Sequence, residues 1–118
     1  MYRKFEKWMN SLLAEHTVEG IVAYNFNIYE GEEEGDYDLQ LIGASMYDAE
    51  DDDWACSEVY SSGEDIFSYE AEDWEAGLDV CIDLVKQYLE QGKYADVLKK
   101  GNVVTAGFVD GDLELIYE

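Results

Sequence analysis

Five of the six residues from Asp48 to Asp53 are acidic, and Trp54 closes the run. Clustered carboxylates can hold a hard cation such as Ca²⁺, which takes about six to eight oxygen ligands. An EF-hand loop starting at Asp48 requires Gly at its sixth position and Glu at its twelfth. The chain has Asp53 and Val59 there, so the pattern fails. Carboxylate pairs also serve glycoside hydrolysis, but 29 Asp and Glu in 118 residues leave no pair distinguished. The one histidine, His16, would have to serve any Ser-His-Asp or Cys-His set. It stands at the end of an expected helix, where a capping or surface role is the usual one. One His and two Cys do not make a zinc site of four protein ligands. P-loop, GxGxxG and GxSxG patterns are missing. No catalytic residue, no dedicated metal site and no cofactor is therefore expected, and the chain reads as a non-enzyme.

What remains is a charge field. The formal charge is −22, from 29 acidic and 7 basic residues. The basic residues are segregated into Arg3, Lys4 and Lys7 at one end and Lys86, Lys93, Lys99 and Lys100 late in the chain. Between Trp8 and Val85 there is no Lys or Arg, and that span holds 22 acids, the 29 less seven outside it. Such a surface repels polyphosphate and anionic lipid, so neither nucleic acid nor membrane is an expected partner. It attracts a basic protein, a polyamine or metal ions. A solvated acidic surface of the kind salt-adapted proteins carry is the plainer reading of the same charge.

If the field serves a partner, the footprint falls on two loops. Glu32, Glu33 and Glu34 lie in one; Asp48, Glu50, Asp51, Asp52, Asp53 and Glu58 lie in or beside the other. Exposed aromatics would anchor the contact. Trp54 is the first candidate and reads two ways: buried, it holds the loop; exposed, it holds a partner. Tyr29, Tyr37, Tyr47 and Tyr60 flank the same loops. A divalent-metal or small-ligand domain using these carboxylates is the alternative.

The elements that would carry these loops follow from periodicity. Tyr2, Phe5, Trp8, Met9, Leu12 and Leu13 share one face of a helix over 2–15, ended by His16-Thr17. Residues 20–30 alternate as a strand, with Val22, Tyr24, Phe26 and Ile28 toward the core. The other face, Ile21 to Tyr29, is half polar and reads as partly exposed. Residues 30–36 form a hairpin loop and 37–44 the return strand. Trp54 to Tyr60 reads as a third strand, and 66–69 is ambiguous. The spacing predicts a long helix over 72–91, with Trp74, Leu78, Ile82, Val85 and Leu89 in the core and Gly92 at C′. A short helix follows from Tyr94 to Lys100, closed by Gly101. Asp110-Gly111 signals a type I′ hairpin. Its register would pair Phe108 with Leu113, Ala106 with Leu115 and Val104 with Tyr117, and would leave Thr105 and Gly107 on a wet face. The sum is one acidic α+β domain over 1–118. It has a largely antiparallel sheet of about five strands, with the N-terminal helix and the helix near 72–91 packed on one face.

Two cysteines make no disulfide framework, and no signal peptide or stretch of roughly 20 apolar residues is visible, so a cytoplasmic location is expected. A small, strongly acidic α+β chain without catalytic motifs resembles the bacterial immunity proteins of toxin–immunity systems. The residues behind the likeness are Tyr24–Gly31, Asp52–Glu58, Trp74-Glu75 and Gly107–Asp112. The resemblance is one of type across the whole chain and carries over no family site residues. It implies neutralisation of a cognate basic toxin, such as a nuclease, by occluding its active site or an adjoining surface.

Overall fold

Tyr24, Phe26 and Ile28 alternate with Asn25 and Asn27, and this alternation makes the strand at the middle of the sheet. The computed structural model describes residues 1–15, 19–99, 103–109 and 111–118. In chain order the elements are α1 (Tyr2–Ala14), β1 (Ala23–Glu30), β2 (Asp36–Ala44), a 3₁₀ segment (Asp52–Cys56), β3 (Glu58–Ser61) and β4 (Phe67–Glu70). They continue with α2 (Trp74–Gln91), α3 (Ala95–Lys99), β5 (Val103–Phe108) and β6 (Glu114–Tyr117). The sheet runs β3-β2-β1-β5-β6, and β4 pairs with the opposite end of β2 from β3. The class is α+β and the sheet is mostly antiparallel, as the sequence predicts, with six strands where about five are expected. The expected ends of α1 (His16, Thr17) and α3 (Lys100, Gly101), and Asp110 of the last turn, lie outside the described residues.

The helices cover one face. Phe5 is the hub: its ring meets Trp8, Phe26, Phe67 and Tyr88 at centroid distances of 5.4 to 6.3 Å. Tyr88 in α2 donates its hydroxyl to Asn10 Oδ1 (2.7 Å) and accepts from the Tyr94 N–H (3.2 Å), which ties the three helical regions together. Gly92 follows at φ −70°, so it is not the left-handed C′ residue expected. Glycine is needed there for a different reason: a Cβ would sit 2.5 Å from the Tyr88 ring.

Within this mostly antiparallel sheet the central pair β1–β5 is parallel. The β1–β2 hairpin leaves one edge of β1 open, and β5, buried along Val103–Gly107, is apolar enough to fill it. Trp54 is not in a strand; Asp52–Cys56 is a 3₁₀ segment, and β3 starts only at Glu58. The last hairpin is shifted: Ala106 faces Glu114 and Thr105 faces Leu115, with a bulge before Val104↔Tyr117. The bulge turns both Ile116 and Tyr117 toward the helix-side core and leaves Leu115 exposed. Finally, α2 buries Gly77, Cys81, Leu84, Val85, Tyr88 and Leu89, while Trp74 is 56% exposed.

The second face of the sheet is not wet. The segment after β2 folds back over it and sets Trp54, 2% exposed, against Ala23, Ala44 and Val103, with Tyr47, Ala55 and Leu113 around them. Asn25 and Thr105 are buried beneath the same cover. Gly107 is buried too; a Cβ there would lie 2.5 Å from the Asp112 carbonyl oxygen.

Candidate functional site

The run Asp48–Asp53 makes its own fold. Asp48 Oδ1 accepts from the Glu50 N–H (2.9 Å), and Asp51 Oδ1 accepts from the Asp53 N–H (3.0 Å), capping the 3₁₀ segment. Asp52 Oδ2 accepts from the Leu113 N–H (3.1 Å), which fastens the loop to the chain entering β6. Glu50 and Asp53 give these bonds their backbone N–H groups and leave their own carboxylates out of them. Three carboxylates of the run are therefore builders of the loop as well as carriers of charge. Trp54 stacks edge-on against Tyr47 at 5.2 Å and is the plug beneath them. It holds the loop and offers no surface to a partner.

The second acidic loop joins β1 to β2. Gly31 N–H donates to the Asp36 carbonyl (2.7 Å), Gly35 takes φ +91°, and Ala71 N–H donates to the Gly35 carbonyl (2.9 Å). This holds Glu32, Glu33 and Glu34 out into solvent beside the start of α2. There the Asp73 side chain accepts from the Ala76 N–H (2.9 Å) as N-cap.

Between this loop and α2 lies a cleft of about 490 Å³, walled by Glu32, Glu33, Glu34, Glu72, Asp73 and Trp74. A second cleft, of about 430 Å³, adjoins it; Trp74, Leu78 and Phe108 form its apolar wall, and Glu30, Asp112 and Glu114 its acidic rim. Glu30 and Trp74 belong to both. Trp74 thus stands as a ridge between a carboxylate-lined space and a largely apolar one, its ring T-shaped to Phe108 at 6.4 Å. The second cleft shares Phe108 and Gly111 with a groove of about 370 Å³ on the other face of the sheet, where Asp52, Asp53, Cys56 and Glu58 line one side. The two loops picked from the sequence thus border one connected set of clefts at the end of β1 and β5. Asp48, Glu50 and Asp51 are exposed but line none of the clefts described.

The floor of the third groove is a chain of hydrogen bonds. Thr105 Oγ1 donates to Asn25 Oδ1 (2.8 Å), Asn25 Nδ2 to Asn27 Oδ1 (2.7 Å), and Asn27 Nδ2 to Gln40 Oε1 (3.3 Å). Tyr29 also donates to Gln40 Oε1 (3.2 Å), and Gln40 Nε2 closes the chain on the Gly63 carbonyl (3.1 Å). Each amide satisfies its neighbour, which is how Asn25 tolerates complete burial. The alternation of Asn25 and Asn27 within an apolar strand was the available signal for this ladder.

Compared with protein-family models, with curated proteins and with solved structures, the chain matches none. The functional reading rests on the site itself.

Among the described residues, reactive groups do not converge there. Cys81 is buried and its thiol is pushed up to about 12 by that burial, while Cys56 is exposed and also free. Burial likewise raises Tyr69, whose hydroxyl donates to the Gly77 carbonyl (2.6 Å) in the core. His16 lies outside the described residues. Among the described residues no three His, Cys, Asp or Glu side chains gather to hold a metal ion. Asp48, Asp51 and Asp52 point their oxygens at backbone N–H groups, so the divalent-metal alternative gains no observation here. No described helix is long and apolar enough to cross a membrane.

Proposed function

We propose that this chain is a non-enzymatic binding protein that occludes a basic protein partner, in the manner of the bacterial immunity proteins it resembles. The observation that carries the reading is the exposure of Glu32, Glu33, Glu34, Asp48, Glu50, Asp51, Asp52, Asp53 and Glu58 on or beside two loops, with Glu32, Glu33, Glu34, Asp52, Asp53 and Glu58 bordering the clefts. Carboxylates left in water concentrate a negative potential without a desolvation cost before binding. That potential speeds the approach of a basic partner by roughly 10-fold to 10³-fold at low salt. With a nuclease as partner, the loops would occupy the place of substrate phosphates. Action in the bacterial cytoplasm belongs to the same proposal, as does the exclusion of nucleic acid and anionic membranes by like charge.

The test is co-expression with the product of the neighbouring reading frame. The expected result is a complex that protects cells from that product and weakens as salt rises. Glu50→Lys combined with Asp53→Lys is the variant of choice, because neither side chain holds the loop together. Slowing of association by about 10-fold or more is expected from it. A partner bound equally well by that variant, at every salt concentration, would show that the acidic loops are not the footprint.

A further inference from the structure

Trp74 is the exposed one of three tryptophans: Trp8 and Trp54 are 9% and 2% exposed, and Trp74 56%. A large aromatic left more than half in water at the head of a helix forgoes burial that a core position would give it. Its surroundings differ on its two sides. On one are the carboxylates of Glu32, Glu33, Glu34, Glu72 and Asp73; on the other are Leu78 and Phe108, with Glu30, Asp112 and Glu114 at the rim. The free backbone N–H groups at the head of α2 do not make this an anion site. Asp73 occupies one of them, and the carboxylates around it repel phosphate and sulfate.

We infer that the Trp74 ridge grips an arginine side chain of the partner together with an apolar residue beside it. The inference rests on the basic-partner reading above and names the part of the surface that gives it selectivity. A guanidinium is planar and weakly hydrated, so it lies flat on an indole face and keeps its N–H groups for carboxylates at the edge. The Trp74 ring offers that pairing, since Glu30 lines both of the clefts that Trp74 lines. The methylene stem of the arginine and its apolar neighbour cover Leu78 and Phe108 in the adjoining cleft. An ammonium, compact and strongly hydrated, gains less from such a wall and stays with the open carboxylates. The acidic loops then bring the partner close, and Trp74 selects arginine over lysine.

Short amidated peptides carrying Arg-Leu, Lys-Leu or Arg-Ser pairs in an otherwise identical glycine-serine frame are the probes. Affinity is read by calorimetry at low salt, and tryptophan emission reports the site. The Arg-Leu peptide should bind about tenfold more tightly than either of the others. It should also alter the exposed tryptophan's emission and lose about tenfold in Trp74→Ala, less in Trp74→Phe. Thermal melts of the two variants establish that they are folded. Equal binding of Arg-Leu and Lys-Leu, unchanged in Trp74→Ala, would overturn the inference and leave the basic-partner reading standing on charge alone. Equal binding of Arg-Leu and Arg-Ser would remove the apolar cleft from it. Failure of all three peptides, with failure of the co-expression test, would overturn both.

Discussion

Asp51-Asp52-Asp53-Trp54 and Glu72-Asp73-Trp74 are nearly the same phrase in sequence, acids followed by tryptophan, and the fold puts them to opposite uses. Trp54 is driven into the sheet and its acids cap the turn that delivers it. Trp74 stays in water and its acids line a cleft. The difference lies in what each finds beneath it. Under Trp54 is a patch of small side chains, Ala23 and Ala44 with Val103, in a cluster to which none of the described α-helices contributes. Trp74 is in phase with the buried face of α2, seven residues before Cys81, but it is the first residue of the helix. Three residues on, Gly77 brings the helix so close that a Cβ would lie 3.1 Å from the Tyr37 ring. Identical local chemistry thus becomes structure where the sheet has a vacancy and surface where the layers are already filled.

The comparison breaks most visibly in stability. Trp54→Ala should cost about 3–5 kcal/mol in urea unfolding, because a buried ring is replaced by a cavity and the loop loses its plug. Trp74→Ala should change stability by no more than about 0.5 kcal/mol. Similar losses at the two positions would erase the distinction. Next in size is Asn25→Ala, which leaves the Thr105 hydroxyl only its longer contact to the Tyr24 carbonyl (3.5 Å) and takes the Asn25 donor from Asn27 Oδ1. A loss of about 1–3 kcal/mol is expected, and an unchanged midpoint would mean that water reaches the ladder freely. Asp51→Ala removes the cap of the 3₁₀ segment and should cost about 1 kcal/mol, with Asp51→Asn recovering most of it. Recovery tests whether the run is acidic there for hydrogen bonding or for charge.

The smallest change under ordinary conditions concerns the helix side and is invisible near neutrality. Burial pushes the Tyr24 phenol up to about 12, with Tyr60 adding to the shift. Burial and then the Glu6 carboxylate do the same for Tyr2, whose hydroxyl donates to it at 3.1 Å. Below pH 10 these tyrosines are protonated in both folded and unfolded chains, and their contribution is fully present. Between pH 10 and about 12 the unfolded chain ionises first, so stability falls as pH rises through that window. The part of the tyrosinate absorbance that is lost in Tyr2→Phe and Tyr24→Phe should therefore appear late and together with loss of helix signal. An early rise with the helices intact would place these phenols in water.

Much of the fold was legible because it is local. α1, the β1–β2 hairpin and α2 each declare themselves through apolar spacing within one short stretch of chain, and the structure has all three. The parallel entry of β5 beside β1 was not legible, since Val103–Phe108 joins a strand about 80 positions earlier and no local pattern names its neighbour. The register of the last hairpin failed by one bulge, which displaces Leu115 outward and brings Ile116 inward. At the candidate site, the acids were easy to find and their division of labour was not. Asp48 and Asp51 are turn-forming residues whose hydrogen bonds are hidden in a crowd of equally acidic neighbours. Trp54 escaped because a 3₁₀ segment is too short to show a period, and Trp74 because periodicity gives phase but not where the layer beneath a helix ends. Asn25 looked wet because its partners, Thr105 and Asn27, make it dry only as a group.

The most direct measurement is quenching of tryptophan emission by caesium and by iodide at low ionic strength, in the wild type and in Trp74→Phe. A red-shifted component that caesium quenches strongly and iodide hardly at all is expected, because the carboxylates around Trp74 gather cations and repel anions. That component should vanish in Trp74→Phe, leaving the shielded emission of Trp8 and Trp54. Equal quenching by both ions, or a caesium-sensitive component that survives in Trp74→Phe, would contradict it.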